Sequence, residues 1–163
     1  MATCETNYLV AVGVPIATFL LGFFASRFSL SKKERLDHSQ RLFQNERELS
    51  DRNEAAYKEF KDALASYLSS PSPGLDDFVN ISTTGDNYFR KLREIGESML
   101  SSNIREQSSR ENFAPKLQEA IEKTLPNYYS TLQEIAKKKG FPYSGQLKRK
   151  NYEPIYSAVE KFA

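Results

Sequence analysis

The chain has 163 residues, a formal net charge of +2, 27% charged residues, one histidine and one cysteine. A single cysteine excludes an intramolecular disulfide framework, and His38 with Cys4 offers no zinc-type ligand spacing. Seven glycines and seven prolines are scattered, so the chain is not low-complexity and carries no glycine-rich phosphate loop.

Residues 1–7 carry Glu5 and no Lys or Arg, and read as a short extracytoplasmic tail. Residues 8–30 read as a transmembrane helix. The run from Thr6 to Ser26 is uncharged, close to the roughly 20 apolar residues that a hydrocarbon core demands. In lipid the backbone must satisfy its own hydrogen bonds, so the segment is expected to be helical, with a kink at Pro15. A cleaved signal peptide would need a basic start, a shorter apolar core and a small-x-small exit, and residues 1–26 show none of these. Arg27, Lys32, Lys33 and Arg35 follow the run and no cation precedes it. The N-terminus is therefore expected outside and the C-terminal domain in the cytoplasm. Thr18, Gly22 and Ser26 recur every fourth residue and form a candidate packing face for a second helix, hence a route to a homo-oligomer.

Residues 31–69 lack Pro and Gly and are rich in Glu, Arg, Lys, Leu and Ala, which predicts one long helix. Over 31–55 only Leu36, Leu42, Phe43 and Leu49 make an apolar stripe. Ser39, Glu46 and Asn53 occupy the positions that would complete a coiled-coil seam, so a solvated helical stalk is expected there. From Ala56 the stripe thickens through Tyr57, Phe60, Ala63, Leu64, Tyr67 and Leu68, and the packed body is placed at 56–163. Ser69–Gly74 then breaks the helix.

A second helix is expected over about 75–101, with a break at Thr83-Thr84-Gly85 and Asp86 as a new cap. Asn80-Ile81-Ser82 is a glycosylation sequon, which the expected topology leaves unmodified. A third helix runs from about 113 to 138, with Pro115 in its first turn and Pro126 kinking it. Lys137-Lys138-Lys139-Gly140 stops it, the cations on the negative end of the dipole and the glycine as a left-handed cap. Phe141–Gly145 reads as a turn, and a last helix at 152–162 aligns Tyr152, Ile155, Tyr156, Val159 and Phe162. The fold class is all-α: an N-terminal transmembrane helix, a long helix and an antiparallel helical bundle.

The chemistry is sparse. Asp76 and Asp77 suit a helix N-terminus, and Glu119 with Glu122 suits a solvated face, so neither pair reads as catalytic. The tyrosines fall mostly on apolar faces, where rings pack and hydroxyls reach polar partners. The most suggestive stretch is Lys137–Tyr152. Lys137, Lys138, Lys139, Lys148, Arg149 and Lys150 are interleaved there with Phe141, Tyr143 and Tyr152, so the cations, Tyr143 and Tyr152 are candidate contacts for an anionic ligand. Residues 137–163 hold seven basic and two acidic side chains, whereas residues 71–136 hold seven basic and ten acidic ones. That acidic body argues against nucleic acid as a partner. No cofactor is expected, and no enzymatic activity. The expected function is a single-pass, membrane-anchored helical adaptor or scaffold whose cytoplasmic bundle meets a protein partner. The alternative is a membrane-tethered module that recognises phosphate or another anionic ligand through Lys137–Tyr152.

Overall fold

A computed structural model describes the backbone from Glu5 to the C-terminus and the side chains from Lys32 onward. The side chains of the expected transmembrane segment, Thr18, Gly22 and Ser26 included, lie outside the described residues. No helix among the described residues is long and apolar enough to cross a membrane. The chain divides into two units, residues 1–41 and 42–163. Residues 32–41 of the first are helical and exposed; the second is the helical body.

Among the described residues the secondary structure is all-helical. Helix α1 spans Glu5–Ser69. In the helical body it turns a 4-3 spaced seam inward: Glu46, Leu49, Asn53, Ala56, Phe60 and Ala63 are buried, flanked by half-buried Leu42 and Tyr67. The packed part of α1 thus begins ahead of Ala56. The stalk expected over 31–55 is solvated only in its first portion, because Glu46 and Asn53 are buried in the seam that they were expected to interrupt.

Helix α2 spans Leu75–Leu100 without interruption. Asp77 accepts the Gly74 backbone N–H at 2.8 Å, an acidic first-turn residue closing the helix start. The break expected at Gly85 does not occur. Gly85 is buried, and a Cβ there would collide with the Tyr128 ring. The glycine is a notch that admits the ring, whose hydroxyl donates to the Ser82 carbonyl at 2.8 Å and lies 3.0 Å from Asp86. Asp86 therefore anchors a tyrosine instead of capping a helix.

The third helix, α3, runs over residues 106–139, seven residues earlier than the expected start. It contains two widened π turns, Ser109–Phe113 and Ala120–Thr124. Each ends two residues before a proline, Pro115 and Pro126. A proline within a helix lacks an N–H and its ring presses on the carbonyl four residues back. The wider turn relieves both problems, so Pro126 does not split the helix. Gly140 ends it at φ 73°, in the left-handed region, after the three lysines of the last turn.

Residues 141–148 are extended, not a turn. Phe141, Tyr143, Gly145 and Leu147 alternate inward with exposed neighbours. Phe141 and Tyr143 place their rings 5.4 and 5.5 Å from Phe78. A 3-10 turn, Arg149–Tyr152, leads into α4, Glu153–Phe162. Helices α2 and α4 meet through a second notch: a Cβ on Gly96 would lie 2.7 Å from the Pro154 carbonyl oxygen. The core of the body is filled by Ile81, Phe89, Leu92 and Ile95 of α2, Leu117, Leu125 and Leu132 of α3 and Ile155 of α4, all essentially fully buried.

Candidate functional site

The basic, aromatic stretch at residues 137–152 divides between exposed cations and side chains engaged within the protein. Lys137, Lys138 and Lys139 are exposed on the last turn of α3, and Lys138 lies 3.8 Å from Glu134. Gln133 donates to the Gly145 carbonyl at 2.9 Å, so the extended segment runs back along α3. Lys148 and Lys150 are exposed as well.

Arg149 is engaged within the protein. It donates to Glu160 at 2.6 Å, lies 3.7 Å from Glu153 and sits 4.6 Å from the Tyr156 ring centre. Tyr152 is buried, not available to stack on a ligand, and its hydroxyl is 2.9 Å from that of Tyr129. Burial, reinforced by the Tyr129 hydroxyl, pushes its phenol well above the ordinary range. Tyr143 is half-buried, its phenol pushed up to about 12 by burial first, then by Tyr129 and Asp86. Of the eight residues singled out, the five lysines are exposed, Lys138 beside the Glu134 carboxylate.

The helical body instead gathers polar groups between α1 and α3. Glu46 accepts the Arg105 backbone N–H at 2.8 Å and its guanidinium at 2.9 and 2.6 Å. Burial pushes the Glu46 carboxyl upward, but the Arg105 side chain and amide outweigh it and hold it below the ordinary 4.5. The same guanidinium lies 5.5 Å from the Phe43 ring centre. Asn45 adds a bond to the Asn103 carbonyl at 2.8 Å. Together these fasten the α2–α3 turn to α1, although Ser102 there takes a left-handed φ of 58°. An open groove of about 690 Å³ borders the pair, with Phe43, Arg47, Asp51, Asn112 and Lys116 on its walls.

One heptad further along α1, a smaller cleft of about 300 Å³ is lined by Asn53, Glu54, Tyr57, Tyr88, Lys116 and Glu119. Tyr57 and Tyr88 pair with ring centres 5.2 Å apart. The Tyr88 phenol is pushed up to about 12, chiefly by burial, then by Tyr57 and Glu119. Asn53 is 7% exposed, and its Oδ1 has no hydrogen-bond partner within the chain. No group of His, Cys, Asp and Glu among the described residues could hold a metal ion.

Set beside protein families, curated proteins and solved structures, this chain matches none. The site must therefore be read from its own geometry. Sequence reasoning missed the clefts beside α1, although their signal was present: Glu46 and Asn53 are polar residues at seam positions. Periodicity marked them as interruptions but could not supply Arg105, 59 residues away.

Proposed function

We propose that the protein is a single-pass, membrane-anchored helical adaptor whose bundle faces the cytoplasm and engages a protein partner. The observation that carries this reading is the uncharged run Thr6–Ser26, followed by Arg27, Lys32, Lys33 and Arg35 and preceded by no cation. Two further features support it. The packed body at residues 42–163 is held by its own core, as a tethered module would need. Around the α1–α2 turn, Leu68 is 80% exposed, Leu75 46% and Val79 51%, apolar surface that a partner would cover.

Extraction and topology test the reading together. Full-length protein should stay with membranes through alkaline carbonate washing and leave only in detergent. In sealed right-side-out vesicles a C-terminal tag should resist protease until the bilayer is opened. Release by carbonate would overturn the anchor, and cleavage of the tag in sealed vesicles would overturn the orientation. In-membrane crosslinking followed by detergent purification tests the adaptor role. A chain that is monomeric and crosslinks to no other protein would overturn it.

A further inference from the structure

We propose that residues 42–69 of α1 form a releasable strap, which lifts off α2, α3 and α4 as one unit while those three helices stay folded. The strap is the thinly packed part of the body. Its buried apolar side chains are Leu49, Ala56, Phe60 and Ala63, two of them alanines, and each keeps 3–6% of its surface exposed. The core residues of α2, α3 and α4 named above keep 0–1%. Clefts stand in file along the border of the strap with α3, about 690 Å³ beside Phe43, 300 Å³ beside Tyr57 and 270 Å³ beside Leu64. Successive clefts share Lys116 and Thr124. Side chains that line a cleft lack partner atoms on one side, so this border gains less dispersion energy than a closed one. Asn53 adds a buried amide oxygen with no donor to the same seam.

The ties that hold the strap are local. Near its start, Asn45 and Glu46 reach the Asn103 carbonyl and Arg105. Further along, Phe60 packs on Phe89 and Tyr128, with ring centres 6.4 and 5.6 Å apart. One covalent connection, the Ser69–Gly74 turn, joins the strap to the other helices. The hydrogen bonds of that turn stay within the two helix ends it links. Release therefore flexes a few backbone angles there and disturbs no bond to the body. Helices α2–α4 keep their mutual contacts, Gly96 against Pro154 among them. Opening the strap thus requires less free energy than global unfolding. The open form is a rare state that a melting curve does not register, and it uncovers the ring faces of Phe89 and Tyr128.

The test is native-state hydrogen exchange of the full chain in detergent, read by mass spectrometry on peptides from the strap, α2 and α4. Relative to intrinsic rates, amides from Leu49 to Ala63 should exchange about tenfold faster, or more, than those from Ile81 to Ile95. Variants then separate partial from global opening. Gly96→Ala weakens the α2–α4 contact, which outlasts release of the strap. It should speed exchange in α2 and α4 roughly tenfold and leave the strap unchanged. Ile155→Val, a milder change at the same contact, should do so by a factor of about three, and keeps the comparison available if Gly96→Ala fails to fold. Glu46→Gln weakens a tie that both openings break, so it should speed exchange in all three helices roughly tenfold. Equal protection of the strap and α2 in the native chain would overturn the proposal. So would strap exchange that accelerates together with α2 in Gly96→Ala or Ile155→Val, or that ignores Glu46→Gln. These outcomes are independent of whether the chain is membrane-anchored.

Discussion

Glu46 shows how a single side chain decides what a helix face does. A carboxylate in an apolar seam is costly unless its charge is met, and the Arg105 guanidinium and amide meet it. Glu46→Gln keeps an acceptor but loses the charge, and should cost about 1–2 kcal/mol at neutral pH by denaturant melting. The pH dependence has a definite sign. The folded-state pKa lies below the ordinary 4.5, so the contribution is complete above that value and is lost as pH falls through the folded-state value. The gap between the native chain and Glu46→Gln should be widest above about pH 5 and close in acid. Gly96 makes a steric argument at the same scale. A Cβ there meets the Pro154 backbone, which cannot swing aside as a flexible side chain would. Gly96→Ala, despite its better helix propensity, should therefore cost about 1–3 kcal/mol in thermal or denaturant unfolding.

At the scale of elements, helix ends and interruptions follow two different logics. The end of α3 is local: three lysines oppose the dipole and Gly140 takes φ 73°. A Cβ on Gly140 would meet nothing within 4 Å, so Gly140→Ala isolates the backbone cost of the left-handed conformation. It should lower stability by about 1 kcal/mol, read as a shift in the denaturant midpoint with an unchanged slope. The prolines of α3 obey a less local logic. Pro115 and Pro126 stand eleven residues apart, each after a π turn, and the helix continues through both. Tyr128 and Leu132 beyond Pro126 are buried against the rest of the body, which makes continuing the helix better than breaking it. In the same way Gly85 looked like a breaker because glycine is a poor helix former, yet its missing side chain is what lets the Tyr128 ring enter.

At the scale of the whole molecule, the buried apolar side chains among the described residues run from Leu49 to Phe162. A fragment comprising 42–163 should therefore keep the entire described core. It should unfold cooperatively by circular dichroism, with a melting temperature within a few degrees of the full chain. A non-cooperative melt would mean that residues 1–41 contribute to folding of the body.

Sequence alone determined what depends on neighbours within about four residues. The helical period, the Ser69–Gly74 break, the acidic start of α2 and the Lys–Gly stop of α3 are all interactions of the chain with itself at short range, and all appear in the structure. The uncharged run Thr6–Ser26 belongs to the same class of signal. Only the tertiary structure decided the fate of residues whose partners are distant. It buried Glu46 by bringing Arg105 across, and drew Arg149 onto Glu160 and Tyr152 onto Tyr129. It also left Asn53 beside a cleft without a donor. The reason is physical: composition shows that a polar group carries a desolvation cost, but whether that cost is met depends on which side chain the fold places opposite it.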